Sequence, residues 1–301
     1  MNDSDKNNII FNEEAATMFE VNDLKFRYPG NKEDTIRGIS FEFDKGEIFG
    51  FLGPSGMGKS TTQKLMIRIL KNYSGEIRYK GKDIKEYDKS IFNDIGVGFE
   101  MPVLFSKLTA MENLKFYRDL YPEGAKIKPI LERLGLWEDR HKRIASFSKG
   151  MKSRLNFARA LINNPKMLFL DEPTSGLDPA NARIVKDMIL EFRQNGGTVF
   201  LTTHMMNDVD ELCDRVAFIA EGQIREISTP KDLKLQYGKR EIKLEYKKEE
   251  KVIKEVFDMD TLKQNEDFFN IVRNKDLVTV HSGETTLDEI FIKVTGVKTD
   301  E

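Results

Sequence analysis

Hydrophobic spacing changes period repeatedly along this chain, and each change marks an element. Residues 19–28, FEVNDLKFRY, alternate apolar and polar positions and are rich in aromatics, which predicts a strand. ISFEFDKGEIFGFLG reads as two strands around a turn at Lys45-Gly46, and the second, Ile48 to Leu52, is nearly all apolar, as in a strand covered on both faces. The period then lengthens to that of a helix from Lys59 to Leu70, with Leu65, Met66, Ile69 and Leu70 on one side. SGEIRYKGKDI signals a hairpin, and IGVGF a short strand. From Met101 to about Arg154 the spacing is helical, with segments near Met111–Leu120, Ile127–Leu134 and Gly150–Ile162. MLFLDEP is a buried strand stopped by Pro173. A helix from about Ala180 to Gln194, the strand TVFLTT, a helix Asn207–Cys213 and the hairpin RVAFIAEGQIREI follow.

Strands that alternate with helices imply an α/β fold around a mostly parallel sheet. The alternating N-terminal segments supply an antiparallel β subdomain, and residues from about 101 to 155 an inserted helical subdomain. Three parts are expected: a polar tail over 1–16, a catalytic domain over 17–228, and a small α+β accessory domain over 229–301, where composition shifts at Thr229-Pro230. The last part holds two alternating segments, REIKLEY and LVTVHS, and the lysine-rich KKEEKVIKE, which reads as a solvated face. It ends in a helical pattern with Leu287, Ile290, Phe291 and Val294 on one face and Thr286 as its cap. No repeat at a fixed period is visible.

Composition narrows the function. Of 301 residues, 39% are hydrophobic and 33% charged, the balance of an ordinary globular protein. A net charge of −2 argues against bulk nucleic acid or an anionic lipid surface as main partner. The single cysteine, Cys213, excludes an intrachain disulfide and fits a reducing compartment. No apolar run approaches the roughly 18 residues needed to span a bilayer. MNDSDKNN lacks the apolar stretch of a signal peptide. Cys213 and Trp137 have only packing roles to suggest.

The chemistry begins at GPSGMGKS, Gly53 to Ser60, which fits G-x-x-x-x-G-K-[ST] between a buried strand and a helix. Such a P-loop curls backbone N–H groups around phosphate oxygens at a helix N-terminus. Gly53, Pro54, Ser55, Gly56, Met57, Gly58, Lys59, Ser60 and Thr61 are the candidate nucleotide contacts. Lys59 reaches the β- and γ-phosphates and Ser60 ligates Mg²⁺. MLFLDEP presents two adjacent carboxylates at a strand end. Asp171 suits the Mg²⁺ site, and Glu172 is the candidate general base for the attacking water. His204 follows the strand TVFLTT, where α/β sheets gather ligand groups. SFSKGM stands at the start of a further helix, so Ser148 and Gly150 mark a second anion site that a partner's nucleotide would fill.

In this order, P-loop, SFSKGM turn, LDEPTSGLD and histidine resemble the nucleotide-binding subunit of an ATP-binding cassette (ABC) transporter, over roughly residues 17 to 228. The resemblance implies a P-loop NTPase core that binds ATP and Mg²⁺. It implies that Tyr28 stacks on adenine, that His204 contacts the γ-phosphate, and that Ser175, Gly176, Leu177 and Asp178 form the loop joining two subunits' sites. Ser148, Lys149, Gly150 and Met151 match the signature L-S-G-G-Q, here Phe147-Ser148-Lys149-Gly150-Met151; the serine and last glycine remain. Glu100 stands where the family has a glutamine that contacts Mg²⁺ and water, so it is a candidate metal ligand that adds negative charge beside Glu172.

The expected protein is an ATPase on the cytoplasmic face of a membrane. It would work as a homodimer or heterodimer with a second such ATPase and drive a separate transmembrane permease. No nucleic-acid partner is expected. The C-terminal part is similar to the tail of ABC-2 type exporter ATPases, which implies export. An alternative is a cassette ATPase acting on ribosomes or DNA, although those relatives carry tandem cassettes, long coiled coils or basic linkers. A small-molecule kinase would leave the signature turn unexplained.

Overall fold

The computed structural model of the chain describes residues 17–238, 241–248, 251–283 and 285–297. The expected N-terminal tail lies outside them. Along the chain the elements are β1 (Thr17–Phe26), β2 (Ile36–Asp44), β3 (Ile48–Leu52), α1 (Lys59–Met66), β4 (Ser74–Tyr79), β5 (Lys82–Asp83) and β6 (Ile95–Gly98). Then come α2 (Ala110–Arg118), α3 (Ile127–Arg133), α4 (Lys149–Ala160), β7 (Met167–Asp171), α5 (Pro179–Gln194), β8 (Thr198–Thr203), α6 (Met206–Leu212), β9 (Arg215–Ala220) and β10 (Gln223–Ser228). The C-terminal part adds α7 (Pro230–Tyr237), β11 (Glu241–Lys248), β12 (Lys251–Asp258), α8 (Glu266–Asn274), β13 (Asp276–Gly283) and α9 (Leu287–Thr295).

The central sheet has six strands in the order β10-β9-β3-β8-β7-β6. It is parallel from β9 to β6, with β10 antiparallel at one edge. Alternation sends its side chains to two cores. Phe49 and Phe51 of β3, Phe169 of β7 and Phe200 of β8 meet Phe19, Phe41 and Phe43 of the antiparallel sheet β2-β1-β4-β5. Phe41 stacks on Phe49 at 5.7 Å between centroids, and Phe19 meets Phe169 edge-on at 5.6 Å. On the opposite face Ile48, Leu52, Leu168, Leu170, Val199 and Leu201 pack against the helices.

Most elements fall within two residues of their sequence signals. α1 does not: it ends at Met66, four residues short of Leu70. Arg68 turns left-handed at φ 61°, and the N–H groups of Ile69 and Leu70 both donate to Lys64 O, closing the helix. The stretch from Met101 to Leu108 is loop, and helix resumes at Thr109, whose side chain forms a capping box with Glu112. α4 starts at Lys149, one residue before the expected Gly150, so both residues lie in its first turn. The lysine-rich run enters β12, whose Lys251, Val252 and Lys254 are exposed.

The C-terminal residues pack in two ways. The antiparallel sheet β12-β11-β13 and α8 enclose a small core of Leu244, Tyr246, Phe257 and Ile271. α7 and α9 join the catalytic domain instead: Leu233, Leu287, Ile290 and Phe291 lie in its helical-side core, and Phe291 meets Phe218 of β9 at 5.2 Å. No helix among the described residues is long and apolar enough to cross a membrane.

Candidate nucleotide site

Parallel pairing of β3 with β8 and of β8 with β7 brings three strand ends together. β3 runs into the P-loop, β7 ends at Asp171 and β8 at Thr203. Close packing explains the loop's glycines. A Cβ on Gly53 would lie 2.3 Å from Ile219 O, and Gly58, at φ 104°, would drive one into Ile36. Gly58 is the N-cap of α1 and offers no side chain, so the first-turn N–H groups of α1 have no side-chain cap and are left for a ligand. The partial positive charge of such an uncapped helix start suits phosphate oxygens.

Lys59 is 6% exposed in its side chain and bridges the loop, donating to Gly53 O at 2.6 Å and Pro54 O at 3.1 Å. Its ammonium lies 3.8 Å from Glu172 Oε1. Burial pushes its pKa down, opposed by Glu172, Asp171 and Glu100. Ser60 donates to Asp171 Oδ1 at 3.1 Å, and the same oxygen accepts from Thr202.

Glu172 is the most constrained group. Its backbone is left-handed at φ 50°, a conformation a non-glycine residue rarely holds and one that stores strain at functional sites. Its side chain is 7% exposed. Oε2 accepts from Thr203 at 3.2 Å, and Oε1 faces His204 Nδ1 at 2.8 Å. Burial pushes the carboxyl above its usual range, while His204 and Lys59 pull it back. A carboxylate so placed is suited to accept a proton.

The sequence-derived candidates distribute as follows. Lys59, Ser60, Asp171, Glu172 and His204 converge. Glu100 is exposed, yet it lines a cavity of about 10 Å³ with Asp171 and Glu172. Tyr28 lies beside α1, with its hydroxyl 3.2 Å from Thr61 Oγ1. Met57 Sδ accepts from Glu221 N at 3.2 Å, whereas Ser55 and Gly56 are exposed or nearly so, Gly56 at φ 82°. Ser148 through Met151 stand apart: among the described residues no hydrogen bond or ion pair joins them to the P-loop. Ser148 caps α4 by accepting from Met151 N at 3.2 Å, which leaves its O–H to donate elsewhere. The Lys149 side chain covers Gly176, where a Cβ would lie 3.0 Å from Lys149 Cε, and Leu177 lies near Gly150. Asp178 caps α5. The turn and the Ser175–Asp178 loop thus share one surface.

Sequence reasoning missed Thr202 and Thr203, which hold the two carboxylates; their polar side chains at the end of a wholly buried strand were the available signal. It also missed Asp208. That carboxylate is buried and bonded to Lys186 Nζ at 2.7 Å and to Thr174, tying α6, next to His204, to the loop after Glu172.

A parallel sheet with a phosphate cradle at its carboxyl end, a buried acid pair and an inserted helical subdomain defines a P-loop ATP-binding cassette. The ABC transporter family profile matches residues 36–175, and that of the fluoroquinolone efflux ABC transporter C-terminal domain matches residues 240–284. A fluoroquinolones export ATP-binding protein of Mycobacterium tuberculosis is 46% identical over 285 residues, 94% of each chain. A linearmycin resistance ATP-binding protein of Bacillus subtilis is 35% identical over 226 residues, 73% of this chain and 72% of the relative. Among solved structures, an ATP-binding subunit of an ABC transporter superposes with TM-score 0.67 at 27% identity, covering 73% of this chain and 93% of that one. A cassette from Clostridium perfringens gives 0.63 at 28%, covering 74% and 92%. The chain belongs to the ABC transporter family, as an ATP-binding and ATP-hydrolysing subunit. These relatives favour the transporter reading over action on ribosomes or DNA.

Proposed function

We propose that this chain powers an exporter of fluoroquinolone-like drugs, hydrolysing ATP with Mg²⁺ at the Lys59–Asp171–Glu172 site to drive a separate membrane permease. The observation that carries the reading is the meeting of Lys59, the Ser60–Asp171 pair and the Glu172–His204 pair at one end of the sheet. The match across 94% of an export protein, C-terminal part included, supports the direction and the substrate class.

The oxygens of Ser60 and Asp171 are hard donors suited to Mg²⁺. Among the described residues no group of three or more His, Cys, Asp or Glu could hold a metal. When bound, Mg²⁺ offsets phosphate charge. Ser60 and Asp171 would hold it, and Glu100 would face it. Lys59 neutralises the β- and γ-phosphates, and Tyr28 stacks on the base. Glu172 takes a proton from the attacking water, and His204 orients the Glu172 carboxylate and meets the γ-phosphate.

Ser148 and the first turn of α4 serve the nucleotide of a second cassette, whether a copy of this chain or a different one, with Ser175–Asp178 at the join. Apolar side chains around the helical subdomain suit a docking permease. Met101 is 81% and Leu120 63% exposed, and a cavity of about 320 Å³ opens among Ile69, Phe99, Tyr117 and Leu120. A subunit docked in this way would lie peripherally, on the inner face of the membrane.

The test is drug accumulation in a fluoroquinolone-susceptible bacterium expressing the chain with its membrane partner. Wild type should lower accumulation, and Glu172→Gln should not. Equal accumulation with and without the wild-type pair counts against the substrate class. Lowered accumulation with Glu172→Gln counts against hydrolysis at this residue as the driving step.

A further inference from the structure

β6 is the edge strand of the six-stranded sheet, so among the described residues one side of its backbone has no partner strand. Alternate carbonyls on that side must find other partners. They find them on α4. Gly96 and Gly98 remove side chains from the face of β6 under the helix: a Cβ on Gly96 would lie 1.9 Å from Ala160 O. At this approach three side chains of α4 and its C-terminal turn reach successive alternate carbonyls. Asn163 Nδ2 donates to Ile95 O at 2.9 Å, Arg159 Nη2 to Val97 O at 3.1 Å, and Asn156 Nδ2 to Phe99 O at 2.7 Å. A helical turn of about 5.4 Å and a two-residue strand step of about 6.6 Å are close enough for the pairs to stay in register.

Phe99 immediately precedes Glu100. Asn156 is 6% exposed, and its Oδ1 has no hydrogen-bond partner among the described residues. Asn156 also lines the cavity of about 10 Å³ that Glu100, Asp171 and Glu172 share, a space about the size of one water. Asn156 therefore touches both sides, with its N–H on the backbone before Glu100 and the residue on the wall of the cavity shared by the hydrolysis-site groups.

We propose that Asn156 is a positioning residue for hydrolysis: through Phe99 O it holds Glu100 toward the Asp171–Glu172 cavity and locks it to the helix that starts at Ser148. Arg159 and Asn163 keep the strand in register beneath it. A displacement of the signature turn is thereby carried to Glu100 along α4. This rests on the reading of Glu100 as a metal- or water-facing group.

The experiment is a double-mutant cycle on ATPase activity of the purified full chain, with Asn156→Leu, Asn156→Ala and Glu100→Gln. Each Asn156 variant should lower kcat about tenfold, with the ATP KM within about twofold of wild type. It should also shift the Mg²⁺ midpoint in the same direction as Glu100→Gln. In the Glu100→Gln background the further loss in kcat should fall below about twofold. Asn156→Ala only subtracts atoms and decides the matter if the leucine variant does not fold. Losses that multiply overturn the coupling and leave the Glu100 reading standing. Wild-type kcat in the Asn156 variants does the same. Glu100→Gln indistinguishable from wild type in kcat and Mg²⁺ midpoint overturns the Glu100 reading, and this proposal with it.

Discussion

Two helix starts in this molecule are proposed to meet nucleotide phosphates, and they are built in opposite ways. α1 begins at Gly58, has no side-chain cap, and has a buried lysine as its first residue, already bridging the loop in front. α4 begins at Ser148, is capped by that serine, and is exposed at its first residues. An uncapped start inside a packed loop is incomplete without a ligand. A capped, exposed start is stable alone and can wait for a surface to close on it. The difference teaches that one chain can supply the pocket for its own nucleotide and offer a contact to another chain's.

The largest expected effect tests the buried side. Glu172→Gln keeps shape but loses the proton acceptor, so turnover should fall about 10²–10⁴-fold while ATP binding persists. Steady-state hydrolysis with parallel nucleotide binding measures both. Turnover within a few-fold of wild type would show that α1's pocket relies on another base.

The next test separates the two starts. Lys59→Ala should remove ATP binding from its own chain, whereas Ser148→Arg should keep ATP binding and block closure on a partner. A mixture of the two restores one composite site, an intact P-loop facing an intact turn, so ATP-driven dimerisation measured by light scattering should partly return. If each variant is folded and mixing restores no dimer, the claim that α4's start acts across chains fails.

A pH profile sharpens the contrast at smaller scale. Burial raises the Glu172 pKa, so its protonated form is favoured in the fold. The stability contributed by this group is present at pH below the ordinary carboxylate value, about 4.3, and is lost as pH rises through the raised pKa. Activity runs the other way, because a general base must be ionised. The acid limb of kcat should lie above the ordinary carboxylate range and vanish in Glu172→Gln, while Ser148→Ala leaves it in place. A limb at the same pH in Glu172→Gln would assign it to another group. The smallest effect is the cap itself. Ser148→Ala should cost about 1 kcal/mol, a fall in Tm of roughly 2–4 °C by calorimetry.

Much of the site was legible because its residues are contiguous. Gly53 to Ser60 and Asp171-Glu172 declare their chemistry by type and spacing, and the buried strands before them place them at a sheet end. Contacts between distant segments were not legible. Nothing local says that Thr202 donates to Asp171, or that Lys186 and Thr174 converge on Asp208. α1's early end escaped the pattern because Ile69 and Leu70 continue an apolar face after the backbone has turned at Arg68. The clamp of Asn156, Arg159 and Asn163 on β6 reads in sequence as three polar positions on a helix.

The C-terminal residues draw the same line. Alternation and a capped apolar stripe are local, so β11, β13 and α9 could be read from the chain. A stripe states that a face must be buried and not against what. Phe291 lies against Phe218, returning the last described helix to the catalytic domain across the small sheet that precedes it. Sequence by itself determined the kinds of element, the phosphate loop and the acid pair, because backbone conformation and side-chain chemistry act over a few residues. Tertiary structure alone decided which carboxylate is buried, which helix start stays open and which strand edge is clamped, because burial and hydrogen-bond partners depend on segments that meet only when the chain has folded.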